Sequence, residues 1–183
     1  MHRNRKTLII QTAVPQEFAG IYDTATQQFC WQSLEGKNLE ALCGVDVPAD
    51  LDALAVAVGP GRFSSTRVGV GFAFGLSFAR DLPIAALDVF DLMDNGENGW
   101  YLITSRKDEF YASYRRNSME IRRTILETVP EDTVRIVDKE HPLGYEDVER
   151  YVSSHNGFSF SSDWQSLRVA YMKDVAEEYK LWK

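Results

Sequence analysis

The residues best placed to do chemistry lie between Ala55 and Arg80, in AVAVGPGRFSSTRVGVGFAFGLSFAR. A run of small apolar residues ends at Gly59-Pro60-Gly61. Ser64, Ser65 and Arg67 follow, then a glycine-studded segment. A strand, a glycine turn and a helix N-terminus present free N–H groups and the positive end of the helix dipole to one spot, an arrangement suited to phosphate. Ser64 or Ser65 is the expected N-cap. Arg67 then falls in the first turn, where a cation costs about 0.3–1 kcal/mol unless an anion lies near. Neither GxxxxGK[ST] nor GxGxxG occurs, so the loop alone is weak evidence for nucleotide.

Other constellations carry less. His2, His141 and His155 are scattered, without HxxxH or HExxH spacing, and no metal site is expected. Asp88, Asp91 and Asp94 have the charge to hold Mg²⁺, but Asp88 also has the position of a helix N-cap, and all three fit a solvated surface. There is no GxSxG elbow and no evident histidine partner for Ser64 or Ser65, which argues against a peptidase. Arg115, Arg116, Arg122 and Arg123 flank a turn at Asn117-Ser118 and read as a solvated hairpin in preference to a tRNA contact. A net charge of −7 argues against a general nucleic-acid or membrane-surface binder. Cys30 and Cys43 form no CxxC pair; a disulfide stays open, and free thiols in the cytoplasm are the expectation. The apolar run Val68–Ala79 is too short to span a membrane. Trp31, Trp100, Trp164 and Trp182 are scattered and read as packing residues.

The elements that must position the loop follow from hydrophobic pattern. KTLIIQTA and EFAGIYD read as a hairpin, with QFCWQSL as a third strand. KNLEALCGV is a short helix closed by Gly44. LDALAVAV is apolar without alternation, a strand covered on both faces. LPIAAL is a strand and DVFDLM a helix start capped by Asp88. DNGENG, Asp94 to Gly99, is the clearest break and divides a lobe at 1–98 from a smaller one at 99–183. WYLITS, EFYASYRR and MEIRRTILETV form a second sheet, and GYEDVERYVSSH a helix capped by Gly157. The chain is expected to end as an amphipathic helix capped by Asp163 or Ser166, with Leu167, Ala170, Tyr171, Val175 and Tyr179 on one stripe.

The glycine helix says more than its loop. Gly71, Gly75 and Ala79 recur at four-residue spacing, with Phe74 and Phe78 alongside and Phe72 and Leu76 on another side. Each helical glycine costs about 1 kcal/mol relative to alanine, so Gly69, Gly71 and Gly75 imply compensation by close approach of another backbone. A sheet covers one side of a helix, and this one is apolar all round. The remaining face, with Val68, Gly71, Phe72, Gly75, Phe78 and Ala79, is expected to meet another protein.

Read together, these residues resemble the TsaB (YeaZ) family of tRNA threonylcarbamoyladenosine biosynthesis proteins. The family signature GPGSFTGLRIG stands here as GPGRFSSTRVG, matching at Gly59, Pro60, Gly61, Phe63, Arg67 and Gly69, with Ser64 and Val68 close replacements. LDALAVAVGPG is similar to the family's DAIAVGRGPG, and FGLSFARDLPIAALDVFDLM to KGLALGLGIPLVGVSSLEAL. LIIQTAVPQEFAGIYD is similar to LAIDTSTEACSVAL, and TSRKDEFYASYR to DARMGEVYWAVY at Arg106, Glu109 and Tyr111. The likeness covers roughly residues 6 to 115.

The resemblance implies an α/β, actin-like ATPase fold of two ribonuclease-H-like lobes. It also implies a non-catalytic subunit that supports a TsaD-type catalytic subunit with a TsaE-type ATPase, forms a homodimer through the same face when alone, and meets tRNA indirectly. No cofactor is implied for the isolated chain, with ATP or ADP only in a complex. The paired histidine ligands of TsaD-type subunits are missing. The departures matter: Gln11 stands where active members of the fold carry a magnesium-linked aspartate, Thr104 replaces the aspartate of the second lobe, and Ser65 replaces a loop glycine. The first interface helix has shrunk to KNLEALCGV. Two other readings remain: an ATP-binding phosphotransferase or ATPase of the same fold, and a diverged homodimeric module.

Overall fold

The computed structural model describes residues 5–34, 38–106, 108–162 and 167–172. Strands β1 (Lys6–Gln11), β2 (Phe18–Asp23) and β3 (Gln28–Ser33) form an antiparallel meander. β4 (Ala53–Gly59) and β5 (Ile84–Asp88) extend it in parallel, giving the order β3-β2-β1-β4-β5. Helix α1 (Asn38–Cys43) precedes β4, α2 (Phe63–Arg80) links β4 to β5, and α3 (Val89–Met93) follows β5. The second sheet, ordered β8-β7-β6-β9, contains β6 (Gly99–Arg106), β7 (Glu109–Arg116), β8 (Met119–Leu126) and β9 (Thr133–Val137), followed by α4 (Tyr145–His155). This is the mixed α/β, two-sheet arrangement expected from the resemblance.

Every residue of β4 is buried, as its unbroken apolar run requires. On one face Leu54, Val56 and Val58 join Leu8, Ile10, Val70 and Ala73 under α1 and α2. On the other, Ala55 and Ala57 join Ile9 and Phe18, and then Tyr101, Ile103, Tyr111 and Val137 of the second sheet, with α3 and α4 between. The second of these clusters runs through both sheets, while the first stays between the first sheet and its helices. Fully buried side chains such as Phe18, Phe90 and Tyr101 each contribute on the order of 1.5–3 kcal/mol to the second.

Local signals behave as the chemistry dictates. The Asp88 carboxylate caps α3 by accepting the Phe90 N–H at 2.9 Å. Asn117 and Ser118 both take positive φ at the β7–β8 turn, and Cys30 and Cys43 are free thiols. Three expectations change. The left-handed C-cap of α4 is Asn156 at φ 54°, with Gly157 one residue beyond. β9 is not among the expected strands: Thr133–Val137, with four β-branched residues, pairs in parallel with β6. The stretch 167–172 of the expected final helix is not helical: Ala170 donates its N–H to Val58 O at 2.8 Å, Tyr171 turns back on Val169 O at 3.1 Å, and Leu167 and Val169 pack against the first core. Val175, Tyr179, Asp163, Ser166, Trp164 and Trp182 lie outside the described residues.

The arginine hairpin also departs from a solvated face. Arg115 is buried, donates to Phe90 O and pairs with Asp91, while Arg123 pairs with Asp88 at 2.8 Å and with Glu120 at 2.7 Å. Arg116, Arg122 and Arg123 remain exposed. Burial pushes the Asp88 carboxyl above its ordinary range, and Arg123 works against that rise. Asp88 and Asp91 thus serve as partners for arginine, and among the described residues no cluster suited to a metal forms.

Candidate docking helix and glycine loop

The loop is built by tight contacts with the first hairpin. A Cβ on Gly61 would overlap the Ala13 carbonyl oxygen, which also accepts the Arg62 N–H at 2.6 Å. Gly59 adopts φ 105°, a left-handed value that favours glycine, and a Cβ there would lie 2.9 Å from Ala170 O. Gly59, Pro60 and Gly61 therefore make the turn that the sequence foretold. Helix α2 begins one residue earlier than Ser64. Its N-cap is Arg62, which makes no side-chain capping bond, so Ser64 and Ser65 lie inside the first turn. Arg67 then falls in the second turn, where its guanidinium lies 4.9 Å from the centroid of the Phe63 ring.

Arg62 supplies a connection that sequence reasoning missed. Its guanidinium pairs with Glu17 at 2.8 Å and donates to Val14 O at 3.3 Å, tying the loop to the β1–β2 turn. Burial raises the Glu17 carboxyl, against the opposing pull of Arg62 and of a hydrogen bond from Ser65. Gln11 is buried and committed to its own turn: its Oε1 accepts the Val14 N–H at 3.0 Å, and its Nε2 donates to Gln16 O at 3.0 Å. Thr104 is exposed on β6. Neither position supplies a carboxylate to the loop.

The glycines of α2 divide into two kinds. Gly69 faces the sheet, where a Cβ would overlap the Thr12 hydroxyl; that hydroxyl is held by its bond to Ser65 O at 2.8 Å. Gly71 and Gly75 are exposed, and beyond the adjoining residues and backbone of α2 itself no described atom comes within 4 Å of the place their Cβ atoms would take. Ser64, Arg67, Phe78 and Ala79 are exposed with them, and Phe78 is 75% exposed. These positions recur at helical spacing and form one stripe. Val68 and Phe72 are half-buried at its margin, packed against the Leu54–Val70 cluster. The short α1 also packs on α2, and Arg80 donates to Pro48 O at 2.8 Å. The stripe is thus apolar and small in its middle, as a helix that admits a close neighbour would be.

A third feature had no legible signal. Residues 167–172 cross the carboxyl end of β4, beside the loop, with the Tyr171 ring 5.4 Å from the Phe63 ring. Gly61, Phe63, Thr66 and Tyr111 line a pocket against this segment. The apolar spacing of Leu167, Ala170 and Tyr171 suits a helix equally well, so periodicity could not find it.

Comparison with known proteins follows the same pattern. The family model described as "TsaD: tRNA N6-adenosine threonylcarbamoyltransferase" matches residues 33–179. Relatives named tRNA threonylcarbamoyladenosine biosynthesis protein TsaB include that of Haemophilus influenzae, 39% identical over 70 residues, covering 34% of this chain and 30% of the relative. That of Escherichia coli is 35% identical over 78 residues, covering 37% and 33%. The Bacillus subtilis protein is 31% identical over 99 residues, covering 50% and 41%. The matched part spans less than half the length of each. Among solved structures, YeaZ from Pseudomonas aeruginosa superposes with a TM-score of 0.63 at 15% identity, covering 91% of this chain and 99% of that one. No helix among the described residues is long and apolar enough to cross a membrane.

Proposed function

This chain belongs to the family of TsaD: tRNA N6-adenosine threonylcarbamoyltransferase, on its TsaB (YeaZ) side, and from that premise we propose that it is a non-catalytic subunit supporting a TsaD-type enzyme in threonylcarbamoyladenosine modification of tRNA. It works in the cytoplasm, with a TsaE-type ATPase as a further partner and tRNA met only through the complex. Alone, it pairs with a second copy through the same helix. The observation that carries this reading is the stripe of α2, where Gly71 and Gly75 lie exposed and a Cβ on either would meet no described atom within 4 Å beyond α2's own adjoining backbone. Helical glycine costs about 1 kcal/mol relative to alanine, and a partner backbone that needs the space offsets that cost.

Gln11 of β1 and Thr104 of β6 argue against an ATPase. Gln11 spends both ends of its amide on its own turn, Thr104 is exposed, and neither can carry the negative charge that holds magnesium against phosphate. Nucleotide then enters only in a complex. Substitution of Gly75→Leu is expected to abolish co-purification with the TsaD-type partner while leaving circular dichroism and thermal unfolding close to those of the parent chain. Undiminished complex formation by a folded Gly75→Leu chain overturns the docking reading. Calorimetry with Mg-ATP on the isolated chain is expected to give a flat trace, and saturable binding would restore the ATPase reading.

A further inference from the structure

Open α/β sheets take their ligands in the crevice beyond the carboxyl ends of the strands. In this chain that place, at the end of β4, holds a piece of the chain itself. Ser161 pairs with Ile84 on the edge of β5 through two hydrogen bonds of 2.9 Å. Residues 167–172 then cross the end of β4, where Ala170 donates its N–H to Val58 O at 2.8 Å. The Ala170 carbonyl lies over Gly59, 2.9 Å from where a Cβ would stand. Tyr171 rests on Phe63, the first residue of α2. Leu167, Val169 and Ala170 share the apolar cluster of Val70 and Ala73 on the buried side of α2. The segment therefore touches both the glycine loop and the start of the helix.

We propose that residues 167–172 are a strap that occupies the ligand crevice of the fold and fixes the first turn of α2, so that the docking competence of α2 depends on the C-terminal segment. The main chain of the strap stands where a phosphate would approach Gly59. The strap replaces a ligand as the group that orders the loop. The inference rests on the reading of α2 as the docking helix.

Two substitutions in the full chain test it. Ala170→Pro removes the N–H that bonds Val58 O, and Tyr171→Ala removes the ring from Phe63; Tyr171 is 42% exposed, so its loss leaves the core packed. Hydrogen exchange is read at Arg62 and Thr66, whose amides bond Ala13 O and Arg62 O, with Gly157, bonded to Val152 O at the end of α4, as the internal control. The expected result is exchange roughly tenfold faster at Arg62 and Thr66, the factor that one hydrogen bond of ordinary strength carries, with Gly157 unchanged. Affinity for the TsaD-type partner is expected to fall by a similar factor. Unchanged exchange at Arg62 and Thr66 in a folded Tyr171→Ala chain overturns the strap. Faster exchange with unchanged affinity overturns its control of docking. Failure of the docking reading itself shows separately, as an indifferent Gly75→Leu chain with exchange at Arg62 and Thr66 still sensitive to the strap.

Discussion

Alanine placed in turn at Gly69, Gly71 and Gly75 separates packing from docking along a single helix. At Gly71 and Gly75 the backbone is helical and, beyond α2's own adjoining backbone, no described atom lies within 4 Å of the new Cβ, so only helix propensity acts. Each substitution is expected to stabilise the isolated chain by about 1 kcal/mol, and the pair by roughly 2 kcal/mol. In a chain of this length that corresponds to a rise in Tm of roughly 4–8 °C. At Gly69 the new Cβ overlaps the Thr12 hydroxyl, which is held by Ser65 O. Overpacking of about 1–3 kcal/mol, together with a strained or lost hydrogen bond of about 1 kcal/mol, outweighs the same gain in propensity. Gly69→Ala is therefore expected to destabilise by about 1–3 kcal/mol. Chemical denaturation of the three variants reads these signs directly. The same Cβ atoms stand in the way of a partner backbone, and an overlap of about 1–3 kcal/mol there weakens association roughly 5- to 150-fold. Gly71→Ala with Gly75→Ala should yield a more stable chain that binds its partner less well. Destabilisation at Gly71 and Gly75 like that at Gly69 would show that the stripe is already covered by the chain itself. A stabilised chain with full affinity would refute close approach.

Two further expectations concern buried polar groups. Burial works to raise the Asp147 carboxyl, but Arg135 at 2.6 Å, the Gly144 N–H and Arg150 outweigh it and hold the group below the ordinary carboxylate range. A depressed folded value contributes stability that is present above the unfolded pKa of about 3.9 and is lost as pH falls through the folded value. Asp147→Asn is expected to cost about 3 kcal/mol near pH 7, by leaving Arg135 half-paired, and the gap between variant and parent should narrow in denaturation curves taken below about pH 4. Gln11→Glu removes the donor to Gln16 O and Val14 O and buries a charge among carbonyls, at about 3 kcal/mol or more. It is expected to lower the midpoint in urea and to add no phosphate release from ATP.

Short-range chemistry was legible in the sequence. The β1–β2–β3 meander, the buried β4 run, the Asp88 cap and the Asn117-Ser118 turn each depend on residues within a few positions of one another, and each formed as read. The glycine motif was equally plain, because Gly59 and Gly61 occupy positions where a Cβ would meet Ala170 O or Ala13 O. What the pattern could not divide was Gly69 from Gly71 and Gly75. All three look alike on a helix, and only the position of Thr12, far away in the chain, makes the first a packing glycine and leaves the others exposed. Charge in a run usually faces water, and Arg116, Arg122 and Arg123 do; Arg115 alone of the four is buried, where it pairs with Asp91 of α3.

The sequence by itself determined the family, the β1–β2–β3 meander and the turn that starts α2, since these follow from local propensity and one compact motif. Tertiary structure decided the rest: the cluster that runs through both sheets, the fate of each arginine and the non-helical path of residues 167–172. That segment has helical spacing at Leu167, Ala170 and Tyr171, yet the carbonyl of Val58 and the apolar floor beside Val70 bind it as a non-helical strap. A backbone hydrogen bond and a buried surface contributed by a distant strand outweigh a preference of a few tenths of a kcal/mol per residue.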